Sequence, residues 1–138
     1  MQIQRLQSLY LLIAAIFTGV FCVLPFASYT VGDVTEKMAV CDTPVLFIFN
    51  ITITVLLLIT IFMYKNLKQQ MKMAVVDIAL IIGSIITTLV YIYSGNLNGV
   101  GALEGGTIML VFAESFVVAA RSRMKKDYKL LTSADRLR

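Results

Sequence analysis

The chain of 138 residues is 59% apolar and only 14% charged, with a net charge of +4. A soluble domain carries about 45–50% apolar and 25% charged residues, so the excess points to lipid. With 2 cysteines and no histidine the chain can build no disulfide framework, no His-ligated zinc or haem, and no Ser-His-Asp triad.

Four stretches are long and apolar enough to cross about 30 Å of hydrocarbon as helix. The first covers about 9–26 (LYLLIAAIFTGVFCVLPF) and carries no charge. It reads as a retained span and not a cleaved signal peptide, because its apolar run exceeds the usual length of about 7–15 and Pro25 is a poor −3 residue. A polar connection over 27–43 follows, in which Ser28 to Thr35 reads as a short hairpin with Gly32 first in a tight turn. Thr43 and Pro44 then read as a cap and a first-turn proline, opening a second uncharged span over 45–64. An eight-residue basic loop, 65–72, forces the third span (73–93) back antiparallel. The fourth, about 103–120, starts in the Gly-rich run 99–106. In that run Gly101 and Gly105 form a small-xxx-small spacing of the kind that lets helices approach closely. None of the four shows the period-two alternation of a membrane β-barrel strand. The expected fold is all-α: a four-helix transmembrane bundle over 1–120 with a short outer hairpin loop, followed by a basic amphipathic tail helix over 121–138.

Orientation follows from the positions of Lys and Arg. Arg5, Lys65, Lys68, Lys72 and seven residues after Ala120 make up eleven of the 12 basic residues. An even number of spans puts all of them on one side, so both termini are expected in the cytoplasm, with the protein in a bacterial inner membrane. Cys22, near the outer end of the first span, and Cys41, just before the second, are better read as free thiols than as a bonded pair. The seven methionines read as packing; no cofactor or metal is implied, and no catalytic constellation is visible.

Two acids lie inside the spans. Asp77 falls five residues past Lys72 and Glu114 seven before Arg121, which puts both at similar depth, about 7–10 Å in from the boundary. Such residues usually face a bundle interior. Two carboxylates in one site would share a proton, as a proton- or cation-coupled transporter requires. The plainer reading is structural: a first-turn acid at Asp77 is favoured by the helix dipole, and Arg5, Lys72 or Arg121 can reach inward as an ion-pair partner. Asn50 is the polar span residue with least explanation.

The tail reads RSRMKKDYKLLTSADRLR. Met124, Tyr128, Leu131, Ala134 and Leu137 make one apolar stripe, with basic residues on the other faces. A plain positive-inside anchor needs no stripe carried as far as Leu137. The tail is therefore expected to dock a cytosolic or membrane partner through Tyr128, Leu131, Asp135, Arg136, Leu137 and Arg138. The alternative is that it lies on anionic headgroups as an anchor. No nucleic-acid partner is expected, since one aromatic and no recognition fold accompany the charge; a homo-oligomer is compatible with the small residues in the spans.

Both ends also resemble a known family. The start, IQRLQSLYLLIAA (3–15), and the end, KKDYKLLTSADRLR (125–138), are similar to those of domain-of-unknown-function family 4293, small four-span membrane proteins of Bacteroidota. The recognisable letters at the end are Lys126-Asp127, Leu130, Ser133 and Asp135 to Arg138. The chain departs from the pattern at Arg121-Ser122, where Asn-Arg is usual, and at Tyr128, where an acid is. The resemblance implies four spans with the tail inside and brings no activity. The expected role is an integral-membrane adaptor or accessory subunit. The alternatives are a small transporter using Asp77 and Glu114, and a structural protein with a lipid-anchored tail.

Overall fold

The computed structural model describes residues 2–94 and 100–138, with side chains described for 6–94 and 103–138. The chain is mostly helical. Helices α1 (Gln2–Phe21), α2 (Pro44–Phe62), α3 (Leu67–Ser94) and α4 (Gly105–Arg136) form a closed ring in which α1 packs on α2 and α4, and α3 packs on α2 and α4. The second with its terminal turn (Pro44–Lys65), the third and the fourth are long and apolar enough to cross a membrane; the described apolar stretch of α1, Leu6–Phe21, is shorter.

Each helix buries a stripe of small or medium residues and leaves large aliphatic ones outside. Leu11, Ala14 and Ala15 of α1 meet Ile53 and Leu57 of α2, Ala74 and Ile81 of α3, and Ala113, Val117 and Ala120 of α4 in one core. Along the α1–α4 seam, Phe17 stacks on Phe112 and Phe116 with ring centroids 5.8 and 5.7 Å apart. Pairs of this kind contribute about 0.5–1.5 kcal/mol each. The outward faces carry Leu12, Ile16, Ile48, Val55, Ile86 and Val111, while Thr18, Asn50, Thr60, Gln70, Asp77, Ser84 and Thr88 are buried. A soluble bundle has the opposite arrangement, because water rewards polar surface.

One end of the bundle is closed by a three-stranded antiparallel sheet, order β2-β1-β3, made of β1 (Pro25–Val31), β2 (Val34–Ala39) and β3 (Val100–Leu103). The β1–β2 hairpin is the expected one. Gly32 takes φ +66 and, among the described residues, no non-glycine residue has positive φ, which fits a type II′ turn with glycine at its first central position. The sheet packs on the bundle through Phe26 and Ala27, and with Val40 of the turn after β2 these join Phe21, Leu46, Ile92 and Leu110 in a second core.

Four expectations are corrected. The first helix ends at Phe21, not 26, since Pro25 offers no N–H and disfavours helix in the residue before it; Pro25 and Phe26 begin a strand instead. The Gly-rich run does not open the fourth span: residues 95–99 lie outside the described residues, and Val100–Leu103 is a strand paired with β1. Gly101 and Gly105 therefore do not share a helix face. The fold is accordingly helical with a small sheet, not all-α. The basic loop shrinks to Asn66 between a 3-10 turn (Met63–Lys65) and α3. Asp77 is consequently ten residues into its helix, beyond the reach of a first-turn dipole argument. The tail, as expected, continues the fourth helix without a break, and the 32 residues of α4 span about 48 Å at 1.5 Å per residue.

Candidate functional site

Two regions collect the chemistry of this chain: a buried polar seam between α2 and α3, and the distal end of α4. In the seam, Asn50 is completely buried and donates through Nδ2 to the Leu46 carbonyl at 2.9 Å. Ser84 Oγ of α3 donates to Asn50 Oδ1 at 3.0 Å. Asn50 thus joins the two helices, which accounts for a polar residue that spacing alone left unexplained. One helix over, the hydroxyls of Thr18 and Thr54 lie 2.9 Å apart and link α1 to α2.

Asp77 sits deeper in the same seam. Thr60 Oγ1 is 2.7 Å from Asp77 Oδ2 and 2.9 Å from the Leu56 carbonyl oxygen. A hydroxyl has one hydrogen to donate, so Thr60 shares it between the Asp77 carboxyl and the carbonyl of its own helix. Gln70 Nε2 donates to the Thr60 carbonyl at 3.1 Å and satisfies the end of α2. Asp77 Oδ1 has no hydrogen-bond partner, and neither does Glu114 Oε2 on α4. Among the described residues no hydrogen bond or ion pair joins Asp77 to Glu114, and neither is paired with Lys72 or Arg121. The side chain of Arg5 lies outside the described residues. No three metal-ligating side chains converge among the described residues.

Glu104 lies just before the first turn of α4. It occupies the N-cap position of α4, its N–H donates to the Phe26 carbonyl at 3.1 Å, and its carboxylate meets Lys37 of β2 at 3.9 Å. Thr107 Oγ1 donates to the same carbonyl, also at 3.1 Å, so α4 begins anchored to β1. Tyr29 of β1 donates to the Tyr91 carbonyl at 3.3 Å, and burial raises its phenol above the ordinary value. Thr43 caps α2 by position with Pro44 behind it, but its hydroxyl donates backward to the Val40 carbonyl at 3.1 Å. Cys22 is buried and Cys41 exposed, and both are free thiols.

At the far end of α4 the apolar stripe divides. Met124 is fully buried in the bundle core and is not available to a partner. Tyr128 is half-buried and lines a groove against α3. Leu131 and Leu137 are 56% and 90% exposed, and Asp135, Arg136 and Arg138 are exposed with them. The tail is tied to the bundle by one polar contact that sequence reasoning missed: the buried amide of Gln7 on α1 donates to Asp127 of α4. The two residues are 120 apart in the chain, too far for any local pattern to signal.

A helical bundle with three helices of membrane-crossing length and hydropathy, aliphatic outside and capped by a small sheet, is compatible with the class of integral-membrane proteins. The chain belongs to the family described as a domain of unknown function (DUF4293), which matches residues 3–137, nearly its whole length. No curated protein and no solved structure matches it.

Proposed function

We propose that the protein is a four-span inner-membrane adaptor or accessory subunit, with both termini in the cytoplasm and the α4 tail presented to a protein partner. The observation that carries this reading is the length of α4. The helix continues three turns beyond Met124, its last residue in the core, and exposes Leu130, Leu131 and Leu137 among basic side chains. An anchor ends when its basic residues reach the headgroups; an exposed apolar stripe beyond that point suits a partner's groove. Support for α1 as the fourth span comes from Leu9, Leu12, Ile16 and Val20, which face outward at helical spacing. The test is copurification from native membranes. Leu131→Asp combined with Leu137→Asp is expected to abolish partner recovery while membrane insertion stays intact, and unchanged recovery would refute the reading.

A second reading, a proton- or cation-coupled transporter, draws on the unpartnered oxygens of Asp77 and Glu114. It requires that Asp77→Asn remove a pH-dependent flux in proteoliposomes, where the adaptor reading expects no flux to remove.

A further inference from the structure

Sequence spacing puts Lys68, Met71, Lys72 and Val75 on one face of α3, at steps of three, one and three. Arg121, Lys125, Tyr128, Lys129 and Thr132 share one face of α4 by the same geometry. The two faces oppose each other across an open groove of about 490 Å³, within the size range of small-ligand sites. Five of these side chains are cationic, no carboxylate lines the groove, and among the described residues none of the five is in an ion pair. Five like charges around one cavity repel each other and call for an anion.

The floor identifies the kind of anion. Met71 and Tyr128 are half-buried beneath the charges, so the groove is charged at its rim and apolar below. Seven residues on from Val75 along α3 is Ile82, and seven back from Lys125 along α4 is Val118; both are exposed. The charged groove therefore opens, on the same two faces, onto aliphatic surface. A soluble phosphate compound matches the rim alone. An amphipathic anion matches both parts. Lys72 and Arg121 also stand where the apolar segments of α3 and α4 end, which in a bilayer is where headgroups lie.

We infer that this groove binds an anionic phospholipid, with its phosphate held among Lys72, Arg121 and Lys125 and its acyl chains lying along Val75, Ile82 and Val118. Basic clefts between helices at the membrane surface recognise such headgroups. The inference rests on the bundle lying in a bilayer, and not on the tail having a protein partner.

Native mass spectrometry of the full chain, titrated with cardiolipin, phosphatidylglycerol or phosphatidylcholine, provides the test. The anionic lipids are expected to bind in preference to phosphatidylcholine. The variant Lys72→Gln, Arg121→Gln, Lys125→Gln should weaken anionic-lipid binding about a hundredfold, at roughly 1 kcal/mol per charge and 1.4 kcal/mol per decade. Lys65→Gln, Arg123→Gln, Lys126→Gln removes the same charge outside the groove and should leave binding near wild type. Equal losses in the two triple variants would overturn the site in favour of diffuse attraction. Displacement of the lipid by millimolar inorganic phosphate would overturn the lipid assignment in favour of a soluble anion. Should the groove variant fail to fold, Lys125→Glu alone carries the comparison, because Lys125 is exposed. Failure to incorporate into phosphatidylcholine vesicles would instead count against the bilayer reading itself, a separate readout.

Discussion

A Cβ on Gly106 would overlap the carbonyl oxygen of Pro25, whereas one on Gly105 would meet nothing within 4 Å. The first turn of α4 therefore lies against the backbone of β1 at one glycine and stands clear at its neighbour. Gly106→Ala is expected to lower thermal stability by about 1–3 kcal/mol, the usual cost of overpacking, and Gly105→Ala to leave it unchanged; thermal unfolding in mild detergent measures both. Thr60 and Asp77 make a second comparison. If Asp77 is neutral and donates to Thr60, Asp77→Asn preserves a donor in that place and should leave the unfolding midpoint near wild type. Thr60→Val removes the partner and should cost about 0.6–2 kcal/mol, the range for polar contacts between membrane helices. A large loss in Asp77→Asn would instead mark the carboxylate as charged. Sequence alone turned Asp77 toward a bundle interior and singled out Asn50 without explaining it. It could not supply their partners, because Ser84 and Thr60 sit on a different helix from the residue each one meets, and helix rotation decides which faces meet.

At the scale of elements, helices were legible and strands only partly so. The apolar runs mark α2, α3 and α4 because lipid demands length and hydropathy together. The β1–β2 hairpin is local, and Gly32 at its turn announces it. β3 is four residues long, and its partner β1 lies some seventy residues earlier; Val-Gly-Ala-Leu has no alternation to reveal it, and its glycines resemble a helix-packing motif. The α3–α4 groove was hidden for a related reason: each half has helical spacing, but the juxtaposition is tertiary. The distal part of α4 was readable from its stripe, although Met124 and Tyr128 proved to face the bundle. Every residue over 129–138 is exposed, so deleting 133–138 is expected to leave the unfolding midpoint unchanged. A marked drop would show that the end of α4 packs on the bundle or on another copy.

For the whole molecule, the proposed arrangement puts the sheet outside, and the short α2–α3 connection and the long α4 extension inside, as the asymmetry of Lys and Arg suggests. The two cysteines supply a direct check. Cys41 is exposed beside the sheet and Cys22 is buried, so a membrane-impermeant thiol reagent is expected to label spheroplasts at Cys41 alone. In a Cys41→Ser background, Leu137→Cys should label only after lysis, and its labelling in intact spheroplasts would reverse the orientation. On the proposed reading, the exposed stripe on the α4 extension meets a protein. That claim is tested most directly by site-specific photo-crosslinking from Leu131 in native membranes, with Tyr128 in the groove as comparison. A discrete protein adduct from Leu131 is the expected result. Lipid adducts alone from that position would contradict the claim and reduce the tail to an anchor.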